Sequence, residues 1–571
     1  MERQDGAVRE EIRQIAESID ALLTGKMGPD EFRLRRVIQG IYPIRGGTDR
    51  YLLRVRVPLG RPSTENLKTL ASVADRYAQG RAVHLTTRQD VHIYGVHVRE
   101  IPGALAFLAA GGMTTRESCG DTVRNLVVCP LSGIARDEVF DVAPCAEALG
   151  RHLLRNPLVQ RLPRKFKIAF EGCASGDHVG LRYNDVGARA ALSPAGVPGF
   201  RVSLAGGLGA LPRAGFDLEP FTPSGRLVST VEAVLRVFHR LGDRERRGRA
   251  RLKFVAGAMG EDAFREAILS ERDRVEAEEG RGLPLPGPPA IRPVGREGEI
   301  LDPGWPGAFP QRQSGRAALP ASVPLGDLST DQLRRLARLA EDTGGTVRFT
   351  PSQGILLADV PFGSVPEGAE GLRAIGLFPP SSAGVARCAG TDSCTIGTTR
   401  VRGLAAWIER DLLSSGVAES SGGRAVSIGI SGCANGCGHH LVADIGLQGV
   451  SRTVGGSSTG GGGRGAPHYM LCLGGGTRED GKVRFGTKVG RIPVRRVPEA
   501  VRRVMGLIRS GAVGGESPGE TVSRLGNSPF QAALEGLLEP SPESFGEEDF
   551  TDLGPDGPVT FPPDRSGPKA P

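Results

Sequence analysis

The 571-residue chain has 39% hydrophobic content, which suits a globular protein of about three or four domains. No run approaches the roughly 18 apolar residues of a membrane span, and nine cysteines, an odd number, are too few for a disulfide scaffold. A formal charge of +8 reflects an arginine-rich composition or an acidic partner; no RNA-recognition or zinc-finger signature points to nucleic acid, which leaves an acidic electron carrier as the economical candidate.

The N-terminus, MERQDGAVREEIRQIAESIDALL, carries acidic residues early and lacks the apolar core of a signal peptide. Residues 1–45 read as a helical arm and a cytoplasmic location is expected. The next segment, VPLGRPSTENLKTLASVADRYAQGRAVHLTTRQDVHIYGV from Val57, recurs as VPLGDLSTDQLRRLARLAEDTGGTVRFTPSQGILLADV from Val323. Each copy opens on Val-Pro-Leu-Gly and then Ser-Thr, a helix N-cap signature with an acidic residue in the first turn. Leu67, Leu70, Ala71 and Ala74 fall at helical spacing, as do Leu333, Leu336, Ala337 and Ala340. A β-rich run follows in both, through TTRQ in the first and TPSQ in the second, so one strand–helix–strand unit is used twice.

A second echo links KIAFEGCASGDHVGLRYNDVG, around Cys173, with SIGISGCANGCGHHLVADIG, around Cys433. They align at Gly-Cys-Ala-x-Gly, but Asp177 stands where Cys437 stands, so only the second half carries the CxxxC pair. Between the halves lies a Pro/Gly-rich linker, 282–317, containing LPLPGPP and preceded by a charged helical stretch ending near Glu279. GGSSTGGGGRG from Gly455 formally contains GxGxxG, yet it runs into Ala-Pro without the helix a dinucleotide site needs, and reads as a flexible loop. The last 30 residues are acidic and Pro-rich and are expected to form an extended tail.

The strongest chemical signal is a set of four cysteines. Cys388 and Cys394 lie in CAGTDSC, and Cys433 and Cys437 in GCANGC. Two close pairs of thiolates can converge on one metal centre. Zinc ribbons favour two to four residues between paired ligands; five and three fit an iron–sulfur cluster with four Cys ligands better. Reduced thiols and a metal site suit a reducing compartment. The remaining cysteines, Cys119, Cys129, Cys145, Cys173 and Cys472, lack paired spacing and read as buried small hydrophobes.

C-x5-C followed by GC-x-x-G-C and ADIGLQG resembles the siroheme-dependent sulfite and nitrite reductases. HLTTRQ, with Arg88, is similar to that family's Thr-x-Arg-Gln strand; GDTVRNLVVC, with Arg124, to its Arg-Asn-Val segment; and LPRKFK, with Lys165 and Lys167, to its Lys-x-Lys strand. The resemblance covers roughly Phe32 to Gly515. It implies a mixed α+β fold of two homologous halves, each a ferredoxin-like half-domain (46–110 and 318–368) followed by an α/β domain, with pseudo-two-fold symmetry. The first α/β domain, 111–281, would serve siroheme and substrate, the second, 369–514, the [4Fe–4S] cluster and siroheme, with a tail over 515–571.

Carried over, Cys388, Cys394, Cys433 and Cys437 are the cluster ligands and Cys437 bridges to the siroheme iron. Arg88, Arg124, Lys165 and Lys167 surround the open axial face, the guanidiniums holding oxyanion oxygens and the lysines supplying charge and protons. Four cations would repel one another unless siroheme's carboxylates and an anionic ligand relieved them. Lys165 and Lys167 alternate on a predicted strand and so face one side. Thr87, Gln89 and Asn125 are further candidates for siroheme binding, though Gln89 and Asn125 could equally cap local backbone. His439 and His440 read as packing or supporting residues.

Sulfite reductases typically carry Lys at the position of Lys167, where many nitrite reductases have Asn; the Cys-x-Gly of CAGTDSC looks more like nitrite reductases. The lysine, placed at substrate, favours sulfite, with nitrite the alternative. No flavin- or NADPH-binding segment is evident, so electrons should come from outside, a ferredoxin-like carrier first and a flavoprotein subunit second. No Cys-rich ferredoxin insertion is evident either, in keeping with an assimilatory role. The rival readings are a non-catalytic siroheme or Fe–S protein and a zinc-structured binding protein.

Overall fold

The computed structural model describes residues 2–47, 49–278, 305–380, 383–414, 425–454, 464–478, 481–554 and 557–560. Most of the expected linker, the glycine-rich loop from Gly455 and the end of the tail lie outside the described residues. The chain divides into two compact units: Met1–Gly207 with Arg213–Pro379, and Leu208–Pro212 with Pro380–Pro571. No helix among the described residues is long and apolar enough to cross a membrane.

In the first unit, helices Glu2–Leu23 and Pro29–Val37 form the N-terminal arm; Ile15, Ile19 and Phe32 bury into the core of the two repeated segments. The repeat itself is present as read. Helices Thr64–Ala78 and Thr330–Thr343 each begin with a capping box, from Ser63 to Asn66 and from Ser329 to Gln332. Their apolar faces share one core through Leu67, Leu70, Leu333 and Leu336, all fully buried. Strands Ile41–Pro43, Arg50–Val55, Val91–His97 and Val83–Leu85 make the first antiparallel sheet, and Asp327–Leu328 of the second copy extends its edge. Strands Phe309–Pro310, Arg316–Ala321, Ile355–Pro361 and Thr346–Phe349 make the second.

Two glutamines tie the copies together reciprocally. Gln89 Nε2 donates to Phe349 O at 2.9 Å, and Gln353 Nε2 donates to Leu85 O at 2.6 Å. Each stands at the end of the TTRQ or TPSQ run with a left-handed backbone, φ +59° and +66°. The Val-Pro-Leu-Gly motif makes room for this crossing: a Cβ on Gly60 would fall 2.6 Å from Gln89 Nε2 and 2.9 Å from Phe349 O. Glycine is therefore required there on two counts, space and its own φ of +66°.

The first unit continues into a sheet ordered Thr222–Pro223, Pro198–Leu204, Val186–Leu192, Ile168–Glu171, Val127–Val128, of which the last three are mutually parallel. Helices Ala143–Leu153, Leu227–Leu241 and Glu261–Glu278 close its core around Phe140, Phe166, Phe170, Phe200 and Phe238. The second unit repeats the plan: Ala383–Arg387, Val426–Ser431 and Ile445–Val454 run parallel, then Arg464–Leu473 and Thr487–Pro493 antiparallel. The stretch expected as a tail from 515 is structured further than expected. It forms helices Pro518–Leu525 and Ser528–Ala533 and the hairpin Thr551–Gly554/Gly557–Thr560, and Asp552 Oδ2 accepts from Arg400 N at 2.8 Å. Burial of Asp552 and Leu553 holds this segment on its own unit.

Candidate active site

In the second unit, the four expected cluster cysteines sit just past the carboxyl ends of two adjacent parallel strands, where an open α/β sheet offers its loops to a ligand. Cys388 directly follows Ala383–Arg387 and its amide donates to Ile430 O at 3.0 Å, so the chain leaves the sheet in a fixed direction. Cys394 closes a short turn by donating its amide to Gly390 O at 2.8 Å. Cys433 and Cys437 lie in the turn after Val426–Ser431, which Ser431 Oγ secures by accepting from Gly438 N at 2.9 Å.

Two amides, of Gly390 at 3.3 Å and Gly432 at 3.2 Å, point at the Cys388 sulfur, which suits a thiolate. Gly390 reaches that geometry at φ +57°, where a Cβ would strike Val401 at 2.7 Å. Cys388, Cys394 and Cys433 are half-buried and Cys437 is exposed. Burial, and then the charge of Cys437, push the Cys388 thiol up to about 12; burial also raises Cys433. Thiols that resist ionisation beside one another would lose their protons only to a cation held among them, and the donor set fits the four-Cys ligation of an iron–sulfur cluster. His440 is fully buried and pushed down to about 4 by burial, so it packs as a neutral ring, as expected.

In the first unit, the segments that carry the expected cations lie side by side. A parallel bridge pairs Val123 with Phe166, both buried in the core, and Arg124 N donates to Phe166 O at 2.9 Å. Alternation then places Arg124 beside Lys167 on the opposite face, with Lys165 on the same side. Lys165 and Lys167 are half-exposed and alternate with the buried Phe166 and Ile168. Arg88 crosses to these strands from the turn after Val83–Leu85, donating to Asn125 O at 2.5 Å, Ile168 O at 3.3 Å and Asn184 Oδ1 at 3.1 Å. Arg124 donates to Ser118 O at 2.6 Å and Gly120 O at 2.8 Å. Both guanidiniums are thus aimed by neutral oxygens, and Asp90 acts on both of them through charge alone.

Burial pushes Arg88 down to about 10, with Asp90 opposing and Arg124 reinforcing the shift. Asp90 is itself raised by burial, although Arg54, Arg56, Arg88 and Arg124 all bear on it. Against these four arginines stand Asp90 and Glu117, the latter 3.9 Å from Arg56, while Asp185 is paired with Arg251, so a cationic surplus remains that fits an anionic cofactor and an oxyanion.

Two residues absent from the sequence reading support this face. Asp185, fully buried, accepts from Lys167 N at 2.8 Å and pairs with Arg251 at 2.8 Å; Arg54 faces Tyr42 and His92. Neither carries a motif, because its role depends on strand pairing distant in sequence. Gln89 and Asn125 serve the backbone. The Gln89 amide engages Val128 and Phe349, and Asn125 Nδ2 donates to Val57 O at 2.9 Å and Arg88 O at 3.3 Å, which holds Arg88 in place. Thr87 is half-exposed on the same turn.

Comparison with known proteins gives this arrangement its family. Residues 119–276 and 382–540 match the nitrite and sulphite reductase 4Fe–4S domain, and 42–111 and 309–375 match the nitrite/sulfite reductase ferredoxin-like half domain. The ferredoxin–nitrite reductase of Synechococcus elongatus is 31% identical, over 79% of this chain and 85% of its own length. A sulfite reductase [ferredoxin] of Mycolicibacterium paratuberculosis is 30% identical, over 70% of each chain. The solved structure of the Mycobacterium tuberculosis NirA protein superposes with a TM-score of 0.75 and 25% identity, covering 92% of this chain and 97% of that one. The repeated fold agrees with these matches: the chain belongs to the nitrite and sulphite reductase family, oxidoreductases with a siroheme and a [4Fe–4S] cluster.

Proposed function

We propose that the protein reduces sulfite to sulfide, with a ferredoxin-type carrier as electron donor and nitrite as the alternative substrate. What supports the choice is the Val123–Phe166 bridge, whose parallel register sets Lys167 opposite Arg124 along the backbone. A second ammonium there suits a dianionic, pyramidal oxyanion better than a planar monoanion. Identity does not choose, because nitrite and sulfite reductases match almost equally. The sequence feature that leaned to nitrite, Ala389–Gly390, has a structural explanation in the φ and crowding of Gly390, and so says little about substrate.

Cys388, Cys394, Cys433 and Cys437 would hold the cluster, and Cys437, the exposed one, would be the residue open to the siroheme. When bound, the two cofactors accept electrons singly and deliver them to the substrate's central atom. The chain's own residues bind and protonate. Arg88 and Arg124, fixed by carbonyls, hold oxyanion oxygens, and Lys165 and Lys167, on a half-exposed edge, pass protons as oxygen leaves as water. Gln89 and Asn125 act as positioning residues for Arg88. Relatives named for ferredoxin and the chain's net charge of +8 support an acidic protein donor, and the reduced thiols suit the cytoplasm.

The test is Lys167→Asn, assayed anaerobically with reduced viologen. Loss of one charged contact of about 1.5–3 kcal/mol should lower kcat/KM for sulfite by ten-fold or more and change that for nitrite far less. An unaltered sulfite-to-nitrite ratio would remove the basis for preferring sulfite.

A further inference from the structure

A second group of metal-ligand side chains lies in the first half. Cys129, Glu171, Cys173 and His178 each offer one ligand atom, and these atoms all lie within 4.8 Å of one another. The two sulfurs are 3.9 Å apart. His178 Nδ1 is 3.5 Å from the Cys129 sulfur and 3.1 Å from Glu171 Oε2. Zinc bonds of about 2.3 Å to sulfur and about 2.0–2.1 Å to nitrogen or oxygen, at tetrahedral angles, set such pairs about 3.8, 3.6 and 3.4 Å apart. These three spacings are close to those of one ion's ligand shell, and the remaining pairs lie within 4.8 Å. It is too wide for a disulfide, which needs sulfurs about 2.05 Å apart.

The position is as telling as the spacing. Cys129 N donates to Phe170 O at 2.9 Å, just as Cys388 N donates to Ile430 O at 3.0 Å. Cys173 follows Phe170 by the same interval as Cys433 follows Ile430. Cys129 and Cys173 therefore occupy, in the first half, the places that two cluster ligands occupy in the second. Where the second half has Cys437, the first has Asp177, whose carboxylate accepts from Gly180 N at 2.7 Å and Leu181 N at 3.0 Å and so shapes the loop that carries His178. Where the second half has Ser431, the first has Glu171, oriented by the amides of Cys173 at 3.1 Å and His178 at 2.8 Å. Four cysteines suit a cluster; two thiolates, an imidazole and a carboxylate suit a single borderline-soft ion.

We propose that Cys129, Glu171, Cys173 and His178 bind one structural zinc ion. The four ligands close the coordination shell, which marks a structural site and not a catalytic one. Cys129, Glu171 and Cys173 are buried, whereas the His178 side chain is 37% exposed and gives the ion a route in. Arg189 donates to Cys173 O at 2.8 Å and partly offsets the net negative charge of the filled site. Such an ion ties together the ends of Val127–Val128 and Ile168–Glu171, the strands that lead from Arg124 and Lys167. The inference stands apart from the choice between sulfite and nitrite.

The test uses the cofactor-loaded full chain, without an affinity tag, reconstituted with zinc chloride and washed with chelator. Elemental analysis should give about one zinc per chain, and absorption at the zinc edge should give a shell of two sulfurs and two lighter atoms. His178→Ala, changed at the rim, should lower retained zinc at least ten-fold and leave iron per chain and siroheme absorbance unaltered. A wild-type protein that retains no zinc, a shell without two sulfurs, or zinc indifferent to His178→Ala would overturn the site. Should the variant not fold, the wild-type zinc content and edge spectrum alone confirm or overturn it.

Discussion

Replacing Gln89 by Ala separates a scaffold role from a cofactor contact. The side chain is fully buried, and its amide makes three hydrogen bonds: to Val128 O at 3.0 Å, to Phe349 O at 2.9 Å, and from Val128 N at 3.0 Å. Truncation leaves two carbonyls and one N–H buried without partners. At about 1–1.5 kcal/mol for each, the loss is about 3–5 kcal/mol. An unfolding entropy of about 2.1 cal/mol/K per residue gives about 0.8 kcal/mol/K for a unit of roughly 370 residues. The expected fall in Tm is therefore about 4–6 °C, with and without cofactors bound. Gln353→Ala, which removes the reciprocal bond to Leu85 O, should produce a fall of the same order. Calorimetry on the cofactor-free protein reads this directly. An unmoved Tm there, together with a lower siroheme content, would refute the scaffold role and return Gln89 to the cofactor.

Two other perturbations probe the two units separately. Asp185→Asn leaves the buried Arg251 without its counter-charge and loosens the anchor of Lys167 N, and should destabilise the first unit by about 3–5 kcal/mol in denaturant titrations; a change under about 1 kcal/mol would show the pair to be dispensable. His440 and His468, both fully buried in the second unit, are each pushed down to about 4 by burial. An unfolded imidazole takes up its proton near 6.5, so between about pH 6.5 and 4 the unfolded chain binds more protons than the folded one. Stability is complete above that window and falls as pH drops through it, by up to about 3 kcal/mol per histidine. His468→Asn should flatten the acid limb of a stability–pH curve, and an unchanged slope would mean that this ring already titrates normally.

Much of this was legible in the sequence because it is local. Ser63 and Ser329 cap helices that begin at the next residue, and the spacing of Leu67 with Leu70 and of Leu333 with Leu336 reports faces that the fold buries. The cysteine pairs were legible for the same reason, each being held in one turn. What sequence could not show depends on strand pairing. Gln89 finds its acceptor in Phe349, and Asp185 meets Lys167 and Arg251, each contact closing only once a sheet has formed. Cys129 and Cys173 look unpaired along the chain because their spacing is set by two neighbouring parallel strands. The echo around Cys173 holds part of that signal, but its CxxxC alignment reports only Asp177 in place of a cysteine, whereas His178 joins the group through the fold of its loop.

The central claim is a complete reduction of sulfite at the family's cofactor pair, and electron stoichiometry tests it most directly. Cofactor-loaded protein would be given limiting sulfite and excess reduced viologen under anaerobic conditions, with sulfide and oxidised viologen both counted. Sulfur passes from the +4 to the −2 state, so the account predicts six viologens oxidised for each sulfide formed, with no partly reduced sulfur released. No sulfide from sulfite, alongside efficient conversion of nitrite to ammonia, would contradict it and make the protein a nitrite reductase.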